Sequence, residues 1–161
     1  MDKNIVIWQN SYSVGIKLLD EQHIHLIKLT NKLFVSCMEN KETSKSVFLE
    51  TIREAVDYVG YHFSTEEKVM ERVNYPEYKH HKQDHAVFIR EVLNRVEEYN
   101  SGRVFAPLSF VYFLRDWILH HVAVNDKKMG EYLVMLHKSG ELHKITLKVK
   151  KDEATNWVYI K

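Results

Sequence analysis

HFSTEEKVMERVNYPEYKHHKQDH, residues 62–85, contains two pairs of metal-binding side chains at helical spacing. His62 and Glu66 stand four residues apart, as do His81 and His85, so each pair shares one helix face, one turn apart. Spacing also chooses between neighbours: Glu67 is rotated away from His62, and His81, not His80, lies a single turn from His85. One H-x-x-x-H alone is a weak signal, fitting zinc or a surface coincidence. Between the pairs, Asn74-Tyr75-Pro76 ends one helix, and Pro76 suits the first turn of the next. Two such pairs on consecutive helices outline the inner seam of a bundle.

The pattern continues on either side. Upstream, Leu19, His23, Leu26, Thr30, Leu33 and Cys37 step by threes and fours without a break, the seam of a first helix. Phe48, Ile52, Ala55, Val59, His62, Glu66 and Val69 form the second, with Thr43 or Ser44 as its N-cap. Tyr78, His81, His85, Phe88 and Val92 form the third, closed by Asn100-Ser101-Gly102. A fourth starts near Pro107 with Phe110, Leu114, Trp117 and His121. It resumes at Asp126, Met129, Leu133 and Leu136 and stops at Ser139-Gly140. Short connections predict an all-α, antiparallel up-down-up-down four-helix bundle over residues 1–140, with residues 1–16 as an irregular N-terminal arm.

The fourth helix carries a misfit. His121 and Asp126 are five residues apart, which leaves them about 140° apart on a regular helix. The apolar seam breaks at the same place. One extra residue within Val122–Asn125, inserted as a π-bulge, restores the register; a gradual shift of the seam is the blander alternative.

Seven ligand-type side chains thus face one core: His23, His62, Glu66, His81, His85, His121 and Asp126. A buried neutral polar group without a partner costs roughly 2–7 kcal/mol, and a charge more. Unrelated burial would require a separate partner for each. Imidazoles and carboxylates converging inside a bundle describe a two-metal site. His25, His80, His120, His137 and His143 fall off the seams or beyond the bundle and read as solvated surface residues. His120 and Glu67, the nearest acid–base candidates, read as surface residues too.

At these residues the chain resembles the hemerythrin family, specifically its single-domain bacterial members. The matching segments are Trp8 with Val14-Gly15-Ile16, then Asp20-Glu21-Gln22-His23, and His62-Phe63 with Glu66-Glu67. Tyr75-Pro76 followed by His81 and His85, and Trp117 followed by His121 and Asp126, complete the motif. The resemblance covers roughly residues 8–136. It implies a non-haem di-iron centre in which His81, His85 and His121 hold one iron and His23 and His62 the other. Glu66 and Asp126 would bridge the two, with an oxo or hydroxo group completing the pair. Eleven coordination bonds then serve two six-coordinate irons, leaving one position open on the iron with two histidines. Phe63, Trp117, Ile118 and Val122 match family positions that form an apolar wall, a gas pocket, around that vacancy.

The implied function is reversible O2 binding for storage, delivery or scavenging. Di-iron oxidases and ferritin-like enzymes are dominated by carboxylates, with a Glu from each of two helices and Glu-x-x-His on the other two. Here imidazoles outnumber carboxylates, which leaves the cluster more positive and disfavours the high-valent states of O–O cleavage. The alternatives are an enzyme reducing NO or peroxide at the same vacancy, and an O2 or NO sensor acting through a separate partner.

The remaining features set bounds. With 23 basic and 22 acidic residues in 161, no electrostatic nucleic-acid or membrane partner is expected. The start lacks a basic region followed by an apolar run, no stretch spans a bilayer, and Cys37 is the single cysteine, so a cytoplasmic protein is expected. Residues 141–161 form a C-terminal extension that inherits nothing from the resemblance. Ile145, Leu147 and Val149 alternate with polar residues, Trp157-Val158-Tyr159-Ile160 is a second β-like run, and a β-hairpin would join them. That extension reads first as a tail packed on the bundle, and second as an oligomer or partner contact.

Overall fold

Val14 meets Gly130, and that contact shows how the N-terminal arm is held against α5, the helix over Lys127–Lys138. A Cβ added at Gly130 would lie 2.2 Å from the Val14 carbonyl oxygen, so only glycine lets the N-terminal arm run flush against the last helix. The computed structural model describes residues 4–38, 42–101 and 107–142, the side chains of 42–47 and 100 excepted. Helix α1 spans Lys17–Met38, α2 Glu42–Arg72, α3 Tyr78–Asn100, α4 Pro107–His121 and α5 Lys127–Lys138. Between α4 and α5, Val122–Asp126 form a π-helical turn, so the two are one continuous rod with a bulge. The four rods form the expected all-α bundle, α1 packing on α2 and on α4, and α2 on α3.

The local stops follow side-chain chemistry. Asn74, at φ 50°, takes the left-handed conformation that ends α2, and Gly140, at φ 76°, does the same after α5. Two expectations shift. Helix α2 begins at Glu42, so Thr43 and Ser44 fall within its first turn. Pro76 precedes Glu77, the N-cap of α3, because Tyr75-Pro76-Glu77 form the turn itself.

The arm is less irregular than its composition suggests. The Asn31 side chain accepts from the backbone N–H groups of Ile5 and Val6 at 3.0 and 3.1 Å and donates to the Val6 carbonyl, holding this stretch against α1. A short 3-10 turn follows at Asn10–Tyr12. Asp20, in the first turn of α1, accepts from Ser13 Oγ at 2.6 Å and from the Val14 N–H at 2.8 Å. A carboxylate there also favours the helix dipole. Lys127 Nζ donates to the Ser13 carbonyl at 2.6 Å, tying the arm to the start of α5.

Two apolar clusters fill the bundle. One includes Leu26, Leu33, Phe48, Ile52, Phe63, Phe88, Phe110, Leu114, Ile118 and Val122. The other includes Val14, Ile16, Leu19, Met70, Tyr75, Met129 and Leu133. His23 falls between Leu19 and Leu26, Glu66 between Phe63 and Met70, and Asp126 between Val122 and Met129. Every rod therefore passes from one apolar cluster to the other through a polar layer, and that layer is the candidate site. No described helix is long and apolar enough to cross a membrane. Glu141 and Leu142 are helical, and the expected hairpin beyond them lies outside the described residues.

Candidate metal centre

All seven seam residues meet in that layer, each at most 3 % exposed. They sort into two groups of mutually close donor atoms: Glu66 with His81, His85 and His121, and Asp126 and Glu66 with His23 and His62. Glu66 Oε1 faces His62 Nε2 at 3.5 Å and His23 Nε2 at 3.9 Å, while Oε2 faces His85 Nε2 at 3.2 Å and His81 Nε2 at 3.6 Å. Asp126 repeats the arrangement. Its Oδ2 lies 3.1 Å from His23 Nε2, and its Oδ1 lies 3.0 Å from His121 Nε2 and 3.2 Å from His81 Nε2. Each carboxylate presents one oxygen to each group.

These approaches lack the alignment of hydrogen bonds. Both oxygens of Glu66 and of Asp126, both ring nitrogens of His23 and Nε2 of His81 are buried without a hydrogen-bond partner. So many orphaned donor atoms aimed at two points would be costly unless cations satisfied them. The nitrogen and oxygen donor set fits first-row transition metals, and its division into two groups fits a pair of them.

Outward contacts set the tautomers. His62 Nδ1 lies 2.9 Å from the carbonyl oxygen of the Gln22 side chain, whose amide donates to Thr65 at 3.4 Å. An acceptor there requires the proton on Nδ1, which leaves the Nε2 lone pair facing inward. His85 Nδ1 meets Glu67 Oε1 at 3.2 Å with the same result. His121 differs: the Asn125 amide nitrogen, which donates to Asp84 at 2.8 Å, lies 3.2 Å from its Nδ1 and offers that nitrogen a donor, not an acceptor. Burial drives His62 down to about 4, so it is neutral at physiological pH. Burial would also lower His23 and His81, but the adjoining Asp126 and Glu66 carboxylates outweigh it and raise both to about 9. Against burial, the surrounding histidines hold Glu66 and Asp126 well below the usual carboxylate range.

Aromatic rings wall the layer. Phe63 stacks on His85 at 3.7 Å and 4°, and its ring centroid is 5.8 Å from that of His62. Trp117 stacks on His121 at 4.3 Å and on Phe88 at 3.8 Å, so it backs the group of three histidines. Ile118 and Val122 are buried in the same apolar cluster. Trp8 of the arm stacks over His23 at 6.4 Å, covering the group of two.

Three polar residues behind the ligand set escape seam arithmetic: Gln22, Glu67 and Asn125. Glu67 is the correction among them. It is off the α2 seam, yet its side chain is only 23 % exposed because α3 brings His85 against it. Of the off-seam histidines, His80, His120 and His137 are exposed as expected, and His25 is half-buried against Tyr58 at 4.1 Å. His143 lies outside the described residues.

Known proteins are similar to this chain. Residues 14–133 match the Hemerythrin HHE cation binding domain. The chain is 30% identical over 127 residues to a bacteriohemerythrin of Stenotrophomonas maltophilia, covering 79% of this chain and 80% of that protein. It is 28% identical over 121 residues to a hemerythrin-like protein of Naegleria gruberi, covering 75% and 87%. A solved wild-type hemerythrin superposes with a TM-score of 0.73 at 23% identity, over 79% of this chain and 96% of that one, a likeness of fold.

Proposed function

The chain belongs to the hemerythrin family, and from that premise we propose that it is a non-haem di-iron protein that binds O2 reversibly. One observation carries the reading: Glu66 and Asp126 each turn one oxygen to each histidine group, the arrangement that two bridging carboxylates require. His81, His85 and His121 would hold one iron, and His23 and His62 the other. When bound, such a pair in its reduced state supplies an electron from each iron and one open position for a diatomic gas.

The chain's own residues prepare and protect that position. The depressed carboxylates stay charged and ready for cations, and neutral His62 offers its inward lone pair without first losing a proton. Phe63, Ile118 and Val122, all buried, exclude water from the polar layer. Trp8 and the arm close it beside His23. Asymmetry in histidine number supports a vacancy on the side of His23 and His62, since that group offers two histidines against three.

Anaerobic reduction, then O2 titration followed by optical and resonance Raman spectra, tests the reading. The expected result is two irons per chain and stoichiometric O2 uptake reversed by removing the gas. One zinc per chain in natively loaded protein, or catalytic consumption of NO or peroxide with a one-electron donor in place of reversible uptake, would overturn it.

A further inference from the structure

The two histidine groups are not backed alike. His62, in the group of two, is held from behind by the neutral amide of Gln22. His85, in the group of three, is held by the carboxylate of Glu67 at 3.2 Å. Among the described hydrogen bonds, His85 is the one candidate ligand with a carboxylate directly against its outer nitrogen. Its neighbour His121 instead faces the amide nitrogen of Asn125, a donor, at its outer nitrogen. Glu67 is itself held on the far side, Lys82 Nζ lying 3.0 Å from its Oε2 and 3.3 Å from the Tyr78 hydroxyl. Lys82 is 52% exposed, so His85, Glu67 and Lys82 make a short chain of contacts from the buried layer to solvent.

We infer that Glu67 is a positioning residue that biases the two metal positions towards different electron affinities, with Lys82 setting the strength of that bias. The inference rests on the di-iron reading above. A carboxylate accepting the Nδ1 proton of an imidazole pulls that proton outward and raises electron density at Nε2, making His85 a stronger donor to the cation it holds. Stronger donation favours the oxidised over the reduced metal at the three-histidine position. The Gln22 amide lends His62 no such charge. Lys82 opposes the effect, because an ammonium 3.0 Å from Glu67 draws its charge away from His85. Phe63, stacked flat on the His85 ring, keeps solvent from that contact's inner side.

Two substitutions should therefore act in opposite directions. Glu67→Gln keeps the size and an acceptor oxygen but removes the charge, so the midpoint potential of the iron-loaded protein should rise. Metal affinity at the three-histidine position should fall by about tenfold. Lys82→Gln, at the exposed end, leaves Glu67 uncompensated, so the potential should fall with metal content unchanged. Mediated potentiometric titration reads both. In zinc-loaded protein, where no redox change intervenes, the His85 Nδ1 proton resonance should move upfield in Glu67→Gln and downfield in Lys82→Gln. Shifts of the same sign in the two variants, or none in either, would overturn the inference, and Lys82→Gln decides it if Glu67→Gln loses its metal. Wild-type protein binding two irons per chain keeps the metal-centre reading whichever way the potentials move; failure to bind them sinks that reading first.

Discussion

His121 Nε2 lies 3.0 Å from Asp126 Oδ1, although a regular helix would turn residues five apart onto faces about 140° apart. The π-helical turn at Val122–Asp126 removes that discrepancy by accommodating one extra residue. Inserting an alanine after Ala123, which is exposed within the turn, adds a residue that the turn does not accommodate and should swing Asp126 about 100° off the polar layer. Iron per chain and O2 uptake should both collapse while helix content by circular dichroism is kept. Normal uptake by the insertion variant would show that the register set by the turn does not aim Asp126.

The carboxylates should matter more than any one histidine. Each turns an oxygen to both groups, whereas His85 serves only one. His85→Ala should reduce iron to about one per chain, and Glu66→Ala or Asp126→Ala should bring it close to none, because ligand loss couples directly to binding. Elemental analysis of purified variants reads the difference. Equal losses in all three would count against bridging.

Protonation should give the metal-free protein a stability maximum near pH 6.5. His62 falls from 6.5 to about 4 on folding, so between those values the unfolded chain binds the extra proton and stability drops with falling pH. His23 and His81 rise from 6.5 to about 9, so their contribution is complete below 6.5 and is lost as pH climbs through 9. Glu66 and Asp126, both depressed, add to the loss on the acid side. Metal displaces the protons of His23 and His81, so the alkaline decline should vanish on loading. Melting temperatures of both forms from pH 5 to 9 check this; a metal-free curve flat from 6.5 to 9 would contradict it.

Ile118 separates packing from protection. It is 5% exposed, and truncation to Ala should cost about 2–5 kcal/mol in stability. If it also excludes water from the polar layer, autoxidation of the O2-loaded protein should quicken with iron content unchanged, and Ile118→Glu should quicken it further. Leu133→Ala, in the other apolar cluster, is the control: similar destabilisation, unchanged autoxidation. Equal autoxidation in the Ile118 variants and the wild type would return Ile118 to ordinary packing.

The bundle and its inward residues were legible because helical spacing acts within one rod. His62 with Glu66, and His81 with His85, announce their common face without knowledge of any neighbour. Even the π turn was visible, as a break in phase between His121 and Asp126. What stayed hidden depends on pairs of rods. Glu67 is off its own seam and acquires meaning only when α3 delivers the back of His85 to it. Gln22 behind His62 is the same case, across α1 and α2. That the Trp117 ring lies flat on His121 is likewise invisible in sequence, because stacking direction is settled by rotamer and neighbour. The start of α2 was misjudged for a simpler reason: capping propensity is a weak prior, and Thr43 and Ser44 sit within helix already begun.

The missing side chain at position 130 has a consequence for the opposite end of the chain. With the Val14 carbonyl 2.2 Å from where a Cβ would stand, any other residue there wedges the arm outward. Trp8 belongs to that arm, and its ring lies over His23. The tightness of the seal on the two-histidine side is thus written partly as an empty space on α5, so a single methyl group far along the chain would loosen a door whose nearer latches are Asn31 and Asp20.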